Sequence, residues 1–144
     1  MSKVLIVGGG HAGANTAFAL RKDGFDGDIT IISDEGYPPY HRPPLSKDFL
    51  KQNVALEKLS FKSSDFYKEQ NISINLNTRI DFIDLESNHA NAKNILFDFD
   101  YLVFATGASP RLLPMENADA KNLFYLRQIT DVLSIQKSIG SAKN

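Results

Sequence analysis

Apolar residues cluster first at Lys3 to Val7 (Lys-Val-Leu-Ile-Val), a short β-branched run of the kind a strand shows when both its faces are buried. Glycines follow at 8, 9, 10 and 13. The stretch Ala14 to Lys22 then places Ala17, Phe18 and Leu20 at helical spacing, and Gly24 closes the helix. A second apolar run, Ile29 to Ile32, ends at Ser33-Asp34-Glu35. Strand, glycine turn, helix and strand in this order predict a βαβ unit.

The next segment, Gly36 to Lys47, holds four prolines between positions 38 and 44, which excludes a helix interior or a central strand and predicts ordered loop or extended backbone. Ser46 is expected to cap a short helix starting near Lys47, and Ser63 or Ser64 to cap another ending near Gln70. From Ile72 the pattern becomes alternating: Ile72, Ile74, Leu76; Ile80, Phe82, Leu85; Ile95, Phe97, Phe99. That alternation predicts antiparallel strands around a polar turn at Asn88-His89-Ala90-Asn91, with His89 at a hairpin tip. Tyr101 to Ala105 is again a buried-strand run, ending in Thr106-Gly107. Pro110 and Pro114 break the pattern before an apolar stretch at Leu123 to Leu126 and a helix near Thr130 to Ile139. The predicted class is α/β: a Rossmann-like domain over residues 1–115, with a parallel sheet and an inserted antiparallel segment. Residues 116–144 read as a linker and helix.

Composition narrows the function without choosing it. The 144 residues carry a net charge of −1, which argues against a nucleic-acid partner, since a phosphate-binding surface needs a basic excess. No stretch reaches the roughly 20 apolar residues of a membrane span, no secretion leader precedes the first strand, and a cytoplasmic protein with no membrane partner is expected. The chain has no cysteine, which rules out disulfides, thiolate zinc sites and a cysteine nucleophile, and no metal site is expected.

The chemistry lies in Gly8-x-Gly10-x-x-Gly13. Directly after a strand, opening a helix, and with Asp34 about 20 residues further on, this is the context of a dinucleotide fingerprint. Gly8 permits a tight turn, Gly10 lets backbone N–H groups approach a pyrophosphate, and Gly13 lets the helix pack against the strand. The helix start adds about half a positive charge. Asp34 or Glu35 can accept hydrogen bonds from a ribose hydroxyl and would repel a 2′-phosphate, so FAD or NAD fits and NADP does not. A second strand ending, Asp100 to Pro110, brings Thr106-Gly107 toward whatever the first unit holds. With the intervening antiparallel segment it favours FAD.

The fingerprint, the loop Tyr40-His-Arg-Pro-Pro-Leu-Ser-Lys47 and the Tyr101 to Pro110 segment together resemble the FAD-dependent, NADH-linked ferredoxin reductases of bacterial oxygenase systems, to which rubredoxin reductase and apoptosis-inducing factor are related. Arg-Pro-Pro-Leu-Ser-Lys is the most specific piece. The resemblance implies that the backbone of Gly8, Gly10, Ala12 and Gly13 holds the pyrophosphate and that Asp34 and Glu35 hold the adenosine ribose. It places Ile80 at the adenine, Ala105, Thr106 and Gly107 along the middle of the cofactor, and Arg42, Lys47 and Arg127 at the flavin end. Lys47 would lie near the reactive edge, where a fixed cation favours the reduced ring. NADH would be the electron donor and a ferredoxin- or rubredoxin-type protein the acceptor. Where disulfide reductases of the wider superfamily carry a redox cysteine, this chain has Leu45 and Ser46, which fits the ferredoxin-reductase branch better.

Beyond Gly107 the sequence has only Gly140, so a second glycine fingerprint for NADH is missing from these residues. The resemblance therefore implies a three-layer Rossmann-like domain incomplete at its C-terminal side, the FAD-binding portion of such an oxidoreductase, inactive in isolation, with an exposed or paired sheet edge prone to self-association. The alternative is a stand-alone FAD- or dinucleotide-binding module without turnover.

Overall fold

The computed structural model describes residues 1–114, 116 and 123–141. The chain divides into two compact units, one made of Met1–Tyr40 and Ser60–Gly107, the other of His41–Leu59 and the described residues after Gly107. The boundary expected at 115/116 involves residue 115, which lies outside the described residues.

In the first unit, β1 (Lys3–Val7), β2 (Asp28–Ile32), β3 (Ile72–Asn75) and β7 (Tyr101–Phe104) form a parallel sheet in the order β3-β2-β1-β7. A second sheet, β4 (Phe82–Asp84), β5 (His89–Ala92) and β6 (Ile95–Asp98), is antiparallel. Side chains alternate across β1 and β2, which builds two cores. Val4, Ile6, Ile29 and Ile31 pack with Ala17 of helix α1 (His11–Lys22) and Tyr67 of helix α2 (Ser64–Glu69). On the other face Leu5 and Ile32 pack with Ala90 and Phe99 of the antiparallel layer. Helices, parallel sheet and antiparallel sheet are thus the three layers expected.

Three expectations are corrected. Ile72 to Asn75 joins the parallel sheet beside β2, with Ile29 opposite Ile72 and Ile31 opposite Ile74, instead of the antiparallel set. Its alternation is that of an edge strand with one covered face, and periodicity carries no information on strand direction. Residues 89–92 are the central antiparallel strand, not a turn: Ala90 and Ala92 are buried where small side chains fit between layers, and the reversals occur at 85–88 and at Lys93-Asn94. His89 is therefore in a strand. Finally, Pro43–Ser46 is itself a short 3-10 helix that ends at Ser46, so Ser46 does not cap a helix starting at Lys47. Proline at its first two positions supplies the fixed φ that starts such a turn.

Ser63 caps α2 as expected, accepting from the Phe66 N–H at 3.2 Å. In the second unit, helix α3 (Ile129–Ser141) matches the predicted C-terminal helix. None of the described helices is long and apolar enough to cross a membrane.

Candidate functional site

Three parallel strands deliver their C-terminal ends to one place. The Gly8 N–H donates to the Ile32 carbonyl at 2.8 Å, and the Ala105 N–H donates to the Val7 carbonyl at 2.8 Å. The loop Gly8–Gly10 therefore runs between the ends of β2 and β7. β1 is where strand order reverses, with β2 on one side and β7 on the other, and such a switch point opens a crevice for a ligand.

The glycines are required by contact. Gly8 has φ +123°, and a Cβ there would lie 2.1 Å from the Ala105 carbonyl oxygen. A Cβ on Gly13 would stand 2.0 Å from the Gly8 carbonyl oxygen, inside the packing of helix on strand. A Cβ on Gly9 would meet the side chain of Ser33 at 2.7 Å, so the glycine loop also rests on the end of β2.

Helix α1 starts at this loop with Gly10 as its N-cap, no side chain capping it and no acidic residue in its first turn. The Ala14 N–H bonds back to the Gly10 carbonyl at 3.1 Å, and the N–H groups ahead of it have no carbonyl one turn back to reach. His11 and Ala12 are exposed there. An uncapped helix start with backbone donors, a positive dipole end and no carboxylate in its turn is a cradle for an anion. This is the fit a dinucleotide pyrophosphate needs, in the residues named from the sequence: Gly8, Gly10, Ala12 and Gly13.

The acids follow at the end of β2. Asp34 is exposed and Glu35 half-buried, with Glu35 Oε2 accepting from the Tyr40 hydroxyl at 2.5 Å. Their backbone is tied to the turn after β3: Ser33 N–H to the Asn75 carbonyl at 2.9 Å, Thr78 N–H to the Ser33 carbonyl at 2.8 Å, Asn77 N–H to the Glu35 carbonyl at 3.0 Å. Asn77 holds φ +51°, a conformation asparagine tolerates. Ile80 lies two residues past this turn, half-buried against the core of Leu5, Ile32, Ala90 and Phe99. Ala105, Thr106 and Gly107 continue from β7, with Gly107 at φ +69°. All these residues belong to the first unit.

Arg42, Lys47 and Arg127 belong to the second unit. There the Arg42 guanidinium Nη1 donates to the Arg127 carbonyl at 2.9 Å, joining two predicted cations 85 residues apart. Arg127 is placed by Asp131, whose Oδ2 accepts from the N–H groups of Arg127 and Gln128, each at 2.8 Å, at the start of α3. Lys47 closes the Pro43–Ser46 turn, its N–H donating to the Pro44 carbonyl at 3.0 Å, and its side chain is exposed.

Sequence reading missed Ser33, Tyr40, Asn77 and Phe61. Phe61 receives the His11 ring edge-on at a centroid distance of 4.5 Å. Only the polar Asn77-Thr78 turn left a signal; the rest are tertiary contacts. Among the described residues no group of His, Asp and Glu is arranged to hold a metal.

Residues 2–143 match the sequence model of the pyridine nucleotide-disulphide oxidoreductases. The chain is similar to the rubredoxin-NAD(+) reductase of Pseudomonas putida, 40% identical over 137 residues that cover 94% of this chain and 36% of that protein. Among solved structures it resembles a ferredoxin reductase from Rhodopseudomonas palustris, with TM-score 0.91, 34% identity and coverage of 97% of this chain and 35% of that one. It also resembles the reductase in a covalent putidaredoxin reductase–putidaredoxin complex, with TM-score 0.89, 35% identity and coverage of 96% and 34%. The chain thus spans about a third of the length of these relatives.

Proposed function

The chain belongs to the pyridine nucleotide-disulphide oxidoreductases, a family of FAD-binding enzymes, and from that premise we propose that it is the FAD-binding portion of an enzyme that passes electrons from NADH through FAD to a ferredoxin- or rubredoxin-type acceptor. The observation that carries this is the glycine-lined, uncapped start of α1 at the sheet's switch point, free of acidic residues in its first turn. When held by these residues, FAD would supply the redox chemistry that links a two-electron donor to a one-electron acceptor.

The residues divide the cofactor between them. The backbone at Gly8, Gly10, Ala12 and Gly13 binds the pyrophosphate. Asp34 and Glu35 stand at the adenosine ribose, Ile80 at the adenine, and Ala105 to Gly107 along the middle. Arg42, Lys47 and Arg127 supply positive charge to the flavin end, with Lys47 favouring the reduced ring. The bonding of Arg42 to the Arg127 carbonyl supports grouping those two. The named relatives, a rubredoxin reductase and a reductase solved with putidaredoxin, support the class of acceptor. The single glycine fingerprint supports a further reading, that these 144 residues bind flavin and leave NADH turnover to other residues. A cytoplasmic location and self-association through the β7 edge complete the proposal.

The test is a titration of the chain with FAD, followed by fluorescence quenching and the visible spectrum, then anaerobic NADH in the same cuvette. The expected result is saturable binding with a structured flavin band and no bleaching beyond that of free FAD. Absence of binding would sink the cofactor assignment. Binding with rapid bleaching would show that the chain holds its own nicotinamide site.

A further inference from the structure

The two adjacent acids at the end of β2 are held differently. Glu35 is fixed through side chain and backbone alike: Oε2 accepts from the Tyr40 hydroxyl at 2.5 Å, its N–H donates to Ser33 Oγ at 3.2 Å, and its carbonyl accepts from the Asn77 N–H at 3.0 Å. Tyr40 is only 3% exposed and is itself anchored, bridged to Ser60 and followed by the Phe61 N–H bond to the Pro39 carbonyl at 2.9 Å. Ser33 is buried, and its side chain sits against Gly9 of the phosphate loop. Between these fixed neighbours Asp34 is exposed, and its carboxylate makes no hydrogen bond among the described residues.

A ligand hydroxyl gains most from an acceptor already in place, because less side-chain and loop freedom is lost on binding. Asp34 is short and leaves its backbone with few conformations to explore once both neighbours are tied down. Glu35 is longer, and its carboxylate is already engaged by a buried hydroxyl.

We propose that the Tyr40–Glu35 hydrogen bond is a brace that sets the place of Asp34, so that Asp34 alone accepts from the ribose hydroxyl of the bound adenine dinucleotide. Tyr40 and Glu35 are then positioning residues for that contact, and Ser33 couples the brace to the phosphate loop through Gly9. The inference rests on the dinucleotide-binding reading above and narrows its ribose contact from two acids to one.

The probes are ADP and 2′-deoxy-ADP, titrated calorimetrically into the chain, and the readout is the ratio of their affinities. A merely structural defect weakens both nucleotides together and leaves that ratio where it was. The unaltered chain should prefer ADP by about tenfold, the worth of one hydrogen bond to a charged group. Asp34→Ala should bring the ratio to one. Tyr40→Phe, which keeps the buried ring, should lower it to about threefold, on the scale of a modest loss of preorganisation. Glu35→Gln should preserve the ratio, because its amide oxygen still accepts from Tyr40, whereas Glu35→Ala, which removes that acceptor, should lower it. An unchanged ratio in Tyr40→Phe would overturn the brace. A ratio of one in Glu35→Gln together with a full ratio in Asp34→Ala would make Glu35 the acceptor. A chain that binds FAD yet does not distinguish the two nucleotides would refute this inference alone, and one that binds no FAD or ADP would refute the cofactor reading beneath it.

Discussion

Tyr67 of α2 puts its ring into the core with Val4, Ile6, Ile31 and Ile72, and its hydroxyl oxygen is buried with no hydrogen-bond partner among the described residues. Burial pushes its pKa up from 10.0 to about 12, because the phenolate would lose its hydration there. With the folded value above the unfolded one, the native state holds its proton longer. That contribution is complete below pH 10 and is lost as pH rises toward about 12. Tyr67→Phe should remove this alkaline loss. At neutral pH the variant should be unchanged or more stable by about 1 kcal/mol, since an unsatisfied hydroxyl is deleted and the ring is kept. Urea midpoints at pH 7 and pH 11 check both statements, and an equal alkaline loss in the variant would assign it to other groups. The same contrast between backbone and tertiary demands explains which site residues were legible. Gly8 and Gly13 are legible because only glycine tolerates a carbonyl 2.1 Å or 2.0 Å from where its Cβ would be, so the residue type itself records the contact. Tyr40 and Ser33 carry no such mark, because their roles depend on partners brought in by the fold.

Among the elements, α1, the loop leading into β2 and the α2–β3 turn are tied by one side chain. Arg21, in the last turn of α1, donates through Nε to the Gln70 carbonyl at 2.7 Å and through Nη2 to the Asn71 carbonyl at 2.7 Å. Its Nη1 donates to the carbonyls of Phe25 and Gly27 at 2.7 and 2.8 Å. The planar fork suits this task, because it offers several donors in a fixed geometry while its stem packs on apolar surface. Arg21→Met keeps the stem and removes the donors, and it should cost about 3 kcal/mol, the range for losing several bonds to a charged group whose carbonyls can partly turn to water. A loss below about 0.5 kcal/mol in thermal or urea unfolding would mean that water replaces the clamp fully. On sequence alone Arg21 is an ordinary charge at a helix end. β5 was hidden for a related reason: His-Ala-Asn-Ala has no bulky apolar pattern, and its strand character comes from facing β4 and β6 across Ala90 and Ala92. β1 and β2 were legible because their runs are buried on both faces and carry that burial in composition.

At the scale of the whole molecule, the parallel sheet has an open side. β7 pairs with β1, and among the described residues no strand pairs with its other edge. Leu102 packs on the antiparallel side and Val103 on the helix side, so the strand has a core on each face. Yet Tyr101 and Phe104, which project to opposite faces, are 59% and 64% exposed. Tyr-Leu-Val-Phe reads as a central strand by composition and stands at an edge, a combination that natural sheets cover or blunt because its free N–H and C=O groups template pairing with another chain. The expectation of a buried strand over Tyr101 to Ala105 is thus corrected: the run is partly exposed because it stands at the sheet edge, and neither composition nor periodicity records strand order. The expected outcome is concentration-dependent association of the chain in sedimentation velocity. Lysines at both exposed positions, Tyr101→Lys with Phe104→Lys, place like charges along the edge without touching the core and should return the chain to monomer, with thermal stability changed by no more than about 0.5 kcal/mol. A monomeric parent chain at all concentrations would show that this edge is blunted without a partner. Association that persists in the double variant would move the interface to another face, with the outward Phe82 and Leu96 of the antiparallel sheet, 65% and 61% exposed, next in line.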